Sequence, residues 1–195
     1  MVEIGSLKVK TVGTGNERVK VVLFPGHEYP IEHFLPGELQ NISPRGPRVW
    51  QVRSKRDGAI FFRKTARKSI VGIWTAASEA KLARYLNGLG IQGVHFEEPL
   101  AAHVKSGRET HVFYREIKSE REGFTREKFR ANQDRLESKV HELGIGLSDY
   151  LVNMEGGKDG TLHVYDLEAW YVPPELREKL KLRWGKKLEK FGGKK

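Results

Sequence analysis

VWQVRSKRDGAIFFRKTARKSIVGIWTAASEAKLARYLNGL, residues 49–89, changes its periodicity half-way along. Its first part holds two short apolar runs, VWQVRS at 49–54 and AIFFRKT at 59–65, joined by KRDG. The Asp57-Gly58 pair between them is a strong hairpin signal, because glycine and aspartate tolerate the left-handed backbone a tight turn needs. Its last part, TAASEAKLARYLNGL at 75–89, spaces apolar residues by three and four and meets stop signals at Gly88 and Gly90, which predicts a helix. Towards the N-terminus, LKVKTV (7–12) and VKVVLF (19–24) flank GTGNE and predict another hairpin, followed by the turn PGHEYP. A loop rich in proline and glycine follows, broken by a short apolar stretch at 39–42. Towards the C-terminus, LAAHVK (100–105) and THVFYREI (110–117) read as strands turned at Ser106-Gly107-Arg108-Glu109. Residues 125–143 read as a long helix. Thr125 is its N-cap, Gly144 its stop, and Phe129, Leu136, Val140 and Leu143 form its apolar stripe. LSDYLVNM, the turn EGGKDG and a strand TLHVYDLEAW come next. A last helix is expected from Pro173-Pro174 to about Phe191, with Leu176, Leu180, Trp184 and Leu188 four apart. This order predicts an α+β chain, unlike the regular alternation of βαβ proteins.

The chain has 195 residues, with 35 Lys and Arg against 25 Asp and Glu, a formal charge of +10. Its 38% apolar and 10% aromatic content suits a globular protein and argues against wholesale disorder. No apolar run approaches a membrane span and no secretion signal is recognisable, so a cytoplasmic protein with no membrane partner is expected. Cysteine is absent, which excludes disulfides, a thiol nucleophile and thiolate metal sites. Residues 1–70 carry net +7, residues 71–174 net −3 and residues 175–195 net +6. Nine basic residues and one acid fall between Arg45 and Lys68. That stretch and the C-terminal helix suit a phosphate-bearing ligand, an acidic protein or a nucleic acid.

Several residues could carry chemistry. Strand alternation puts Lys64 on the face of Ile60 and Phe62. Helical spacing puts Glu79 on the face of Ala83 and Leu86. An inward Lys and an inward Glu on adjacent elements can pair, although a first-turn acid is also favoured by the helix dipole. Further on, a hairpin turned at Gly156-Gly157 would bring Asn153 beside Asp166, with Asp149 close by. One amide oxygen and two carboxylates make a hard-oxygen site of the kind Mg²⁺ takes; turn and cap roles would explain the same residues.

In this order the residues resemble the protein-kinase-like superfamily, over roughly residues 39–170. Lys64 matches the lysine on the third strand of the small lobe and Glu79 the glutamate of the helix that follows. THVFYREI looks like the fifth strand, entering the hinge at Glu116-Ile117. HELGIGLSDYLVN resembles the catalytic loop, and Asp166-Leu167-Glu168 resembles the Asp-Phe-Gly triplet. The resemblance implies a two-lobed fold: an N-terminal β extension (1–38), a small antiparallel sheet lobe (39–117), and a truncated helical lobe (118–195) with a basic C-terminal helix. It implies ATP and Mg²⁺ as cofactors, bound in a cleft between residues 39–117 and 118–170. Lys64, held by Glu79, would meet the α/β-phosphates, and Asn153 and Asp166 would hold the metal. Asp149 would orient the attacking hydroxyl, and the backbone near Glu116, Ile117 and Lys118 would meet adenine.

The chain departs from the family pattern in four places. Asp149 and Asn153 are four apart instead of five. Leu147 and Ser148 stand where His and Arg are usual. SPRGPR at 43–48 has a single glycine among prolines, which lack the N–H that a phosphate loop presents. Only 29 residues follow Asp166. The expectation is therefore a reduced phosphotransferase acting on a hydroxyl acceptor, or an inactive pseudokinase. Two alternatives compete. Glu116-Ile117-Lys118, with Glu97, Glu98 or Glu109 upstream, also resembles the E-x-K pattern of restriction-endonuclease-like nucleases. The basic stretch at 45–68, interleaved with Trp50, Phe61 and Phe62, would suit a non-enzymatic nucleic-acid binder.

Overall fold

A computed structural model describes residues 7–45, 48–65, 75–117, 125–147, 154–157, 159–165, 167 and 169–182. The chain is α+β and forms two compact units, Met1–Lys68 with Pro99–Glu116, and Ser69–Glu98 with Ile117–Lys195. It passes from one unit to the other three times, the last time between Glu116 and Ile117. Among the described residues no helix is long and apolar enough to cross a membrane.

The first unit is one antiparallel sheet of seven strands. These are β1 (Lys8–Val12), β2 (Val19–Leu23), β3 (Leu39–Pro44), β4 (Val49–Ser54), β5 (Ile60–Thr65), β7 (Ala101–Lys105) and β8 (Arg108–Arg115). β6 (Val94–Phe96) belongs to the second unit. The spatial order is β1-β2-β7-β8-β5-β4-β3. The hairpin at Asp57-Gly58 forms as its sequence predicts, with the Asp57 carboxylate accepting from the Ala59 N–H at 3.0 Å and Gly58 at φ 78°. The β7–β8 turn is tighter than expected. Only Ser106 and Gly107 link the strands, both at positive φ (51° and 74°), which matches the twist of the ladder. The apolar bit at 39–42, expected in a loop, is part of β3, which pairs with β4 through a bulge between Asn41 and Ser43.

One face of this sheet carries the core, formed by Val21, Leu23, Val52, Phe61, Ala101 and Phe113. Phe34, in a 3-10 turn over Ile31–Phe34, closes onto it, with ring centroids 4.9 Å from Phe61 and 5.5 Å from Phe113. Two histidines fasten the covering segment, His27 to the Leu100 carbonyl (2.9 Å) and His103 to the Phe34 carbonyl (2.5 Å). Residues 7–38 thus extend the sheet and cover one of its faces.

The second unit is built around α1 (Ala76–Gly88), α2 (Arg126–Glu142) and α3 (Pro174–Leu180). Thr75 and Thr125 cap α1 and α2, accepting from the backbone N–H three residues on. Gly144 follows α2 at φ 63°. Leu82, Leu86, Phe96, Leu136, Leu162, Val164 and Leu176 share one buried cluster. The stretch expected as one strand from Thr161 to Trp170 is two, β11 (Leu162–Val164) and β12 (Ala169–Tyr171), in different sheets. β11 pairs antiparallel with β10 (Met154–Gly156) and parallel with β6, while β12 pairs with β9 (Gly146–Leu147). α3 is also shorter than expected. It ends at Leu180, where Lys181 turns left-handed (φ 48°) and Leu182 N–H bonds the Arg177 carbonyl. The rest of the expected helix, with Trp184 and Leu188, lies outside the described residues.

Candidate functional site

In the first unit, β5 has buried residues on both faces. Phe61 points into the core, and Phe62 and Lys64 point the other way. Lys64 is 7% exposed, unusual for lysine unless it is held there. It stands between Val49 on β4 and Val112 on β8. Its face of the sheet also carries Gln51, whose amide joins three segments. The Gln51 oxygen accepts from Ser43 Oγ (3.0 Å) and Arg45 Nη2 (3.4 Å), and its nitrogen donates to Glu116 Oε1. Glu116, expected at the hinge, is therefore tied by its side chain to the middle of β4. Ile117 is buried and begins the second stretch of the other unit.

In the second unit, Glu79 is also buried, at 6% exposure. It lies on the first turn of α1, where the dipole alone would favour an acid, but its side chain does more than this. Glu79 Oε1 accepts from the backbone N–H of Leu167 at 3.0 Å. The register explains how residues 88 apart meet. β6 follows α1 and runs parallel beside β11, with Leu162 N–H to the Gly93 carbonyl (2.8 Å) and Glu97 N–H to the Val164 carbonyl (2.7 Å). Asn87 of α1 holds β6 by both its backbone groups at Phe96 (2.8 Å each). The chain leaving β11 thus brings the Leu167 N–H to the helix. Tyr165 sits there with its hydroxyl pushed up to about 12, by burial and then by Glu155, so it stays a neutral donor.

Lys64 and Glu79 lie in different units. Asp149, Asn153, Asp166 and Lys118 fall outside the described residues, as does Glu168. β10 and β11 form a hairpin, with Met154 opposite Val164 and Gly156, expected in the turn, opposite Leu162; the expected meeting of Asn153 and Asp166 lies outside the described residues.

Other acids have their own partners. Glu97 is buried and accepts from His163 Nδ1 at 2.8 Å, with His95 Nε2 at 3.7 Å. Glu98 takes a two-pronged bond from Arg84. The Glu97–His163 pair has no signal in the sequence, because it depends on the parallel pairing that sets His163 opposite His95. The aromatic residues of the basic stretch are structural: Phe61 and Phe62 are buried, and Trp50 packs against the core. No protein-family model and no curated protein matches the sequence.

Proposed function

We propose that this chain is a reduced, protein-kinase-like phosphotransferase that binds ATP with Mg²⁺, in active form or as a pseudokinase. The observation that carries this reading is the bond from the Leu167 N–H to the Glu79 carboxylate. It ties the acid of the helix to the triplet Asp166-Leu167-Glu168, two motifs that the resemblance ranks as functional and that lie far apart in sequence. Strand order supports the same reading. Counted within the sheet from Leu39, Lys64 is on the third strand and residues 108–115 form the fifth, with α1 between the third and the fourth. The last passage between the units falls at Glu116-Ile117, where the resemblance puts the hinge.

The chemistry follows from charge. A transferred phosphoryl group spreads negative charge over its oxygens, and catalysis consists mostly of positioning and neutralising it. Lys64 supplies a cation on a rigid strand and Glu79 an anion on a rigid helix. Asp166 and Asn153 would hold Mg²⁺, which would supply positive charge to neutralise the phosphate, and Asp149 would orient the acceptor hydroxyl.

Thermal unfolding with and without ATP·Mg²⁺ tests the proposal. A ligand at 100 times its Kd stabilises the fold by about 2.7 kcal/mol, a rise of several degrees in Tm. Wild type is expected to show this rise, and Lys64→Met and Asp166→Ala to lose most of it. No rise in wild type, or an undiminished rise in both variants, rejects the reading. Transfer of labelled γ-phosphate then separates the two forms. Loss of transfer in Asp149→Asn with ATP binding kept identifies an active enzyme, and binding without transfer in wild type identifies a pseudokinase.

A further inference from the structure

The face of β5 turned away from Lys64 carries a second group of cations. Arg63 lies opposite Trp50 on β4 and Phe113 on β8. Thr65 N–H bonds the Arg48 carbonyl, and Thr65 lies opposite His111. By alternation Arg48, just before β4, Arg63 on β5 and His111 on β8 share one face; Arg63 is the diagonal neighbour of each of the other two, about 7–8 Å away between side-chain bases, while Arg48 and His111 flank Thr65 from either side. His103 continues the row on β7, its ring 5.7 Å from that of His111.

Among the described residues no acid forms an ion pair with Arg48 or Arg63. Arg63 Nε and Arg48 Nη1 are both buried and have no hydrogen-bond partner among the described residues. The one carboxylate on β8, Glu109, is separated from His111 by the irregularity in the β7–β8 ladder. A buried donor left unpaired costs free energy, and two guanidinium groups on one face repel each other. A water could accept one of these N–H bonds, but it would neutralise nothing.

We propose that Arg48, Arg63 and His111 form a binding site for a small phosphate-bearing ligand, on the face of the sheet opposite Lys64. Guanidinium groups match phosphate oxygens in geometry and charge, and a tetrahedral oxyanion can accept from three strands at once. The burial of both unpaired nitrogens and the packing of Trp50 against the core suit a single anionic group better than a nucleic-acid strand that runs on beyond it. The site does not rest on the kinase-like reading, because Lys64 faces the other way.

The probe is inorganic phosphate, titrated at constant ionic strength against chloride, with Tm and the His111 ring resonances as readouts. Wild type is expected to gain Tm and to shift the His111 signals. Arg63→Met should lose both responses, and Arg48→Met should reduce them. Lys64→Met should keep them, which separates this site from the ATP site. Arg63→Lys keeps the charge without the forked geometry and is expected to bind more weakly, so it serves if the methionine variant fails to fold. A second arm uses an oligonucleotide without terminal phosphate. Weaker binding than phosphate supports the proposal. Binding that exceeds that of phosphate and survives Arg63→Met overturns it, as does a phosphate response equal in wild type and in both arginine variants, or no response in wild type.

Discussion

The most unusual side chains are polar groups held against apolar neighbours, and their behaviour follows from what faces them. His111 is an example. Burial, then the Arg63 charge and then His103, pushes its imidazole from 6.5 down to about 4. His103 is shifted in the same direction, by burial first. In the folded protein His111 therefore stays neutral down to about pH 4, whereas in the unfolded chain it takes up a proton below about 6.5. Between these values the unfolded state binds more protons, so stability falls as the pH falls through that window. His111→Gln removes this titration. Its Tm is expected to fall less steeply than that of wild type between pH 6.5 and 4, and identical slopes would show that His111 is not the group responsible. Charged residues of this kind are poorly legible in sequence. Arg63 in AIFFRKT reads as a residue of a solvated face, and only the register across β4, β5 and β8 reveals that two of the stretch's arginines have buried nitrogens.

At the level of elements, the chain is legible where a local rule acts. Asp57-Gly58 and Ser106-Gly107 announce their turns through backbone sterics. Thr125 marks the start of α2 because its hydroxyl accepts from an N–H of the first turn, and Gly144 marks its end by its left-handed backbone. The inward directions of Lys64 and Glu79 follow from periods of two and 3.6. What stays hidden depends on partners distant in sequence. β3 and β6 are too weakly patterned to read as strands before β4 and β11 are placed beside them. The break between β11 and β12 divides a run that is continuous in composition. The end of α3 rests on Lys181 in a left-handed conformation, for which lysine has no preference. The bond between α1 and Leu167 belongs to this hidden class and can be tested directly. Glu79→Ala leaves a buried N–H without an acceptor and should cost about 1–3 kcal/mol in urea unfolding. Glu79→Gln keeps an oxygen in place and should cost less, with the Leu167 amide still protected from hydrogen exchange. Equal losses in the two variants would show that the bond does not support the fold.

At the scale of the whole molecule, the +10 charge resolves into separate surroundings. Exposed cations such as Lys10 pair with acids at the surface, in this case Glu32. Those at Arg48 and Arg63 lie partly buried and form no ion pair among the described residues. The chain also passes three times between its units, so no single cut separates them. Among the described residues the large sheet ends on β1 at one side and β3 at the other. β3 is interrupted by a bulge and ends at Pro44, both of which discourage a further strand from adding on. β1 presents Lys8 and Lys10 along an exposed strand. Behind it, β2 covers β7, whose Ala101, Ala102 and His103 are almost fully buried and carry no charged side chain. Removing residues 1–23 would turn this strand, charged only at its last residue Lys105, into the outermost one. The expected result is concentration-dependent self-association, seen as a rising scattering mass for the truncated chain while wild type stays constant; a truncated chain of unchanged mass would refute it. The first hairpin thus works as a guard against aggregation: it gives the sheet a lysine-bearing rim that another copy cannot readily extend.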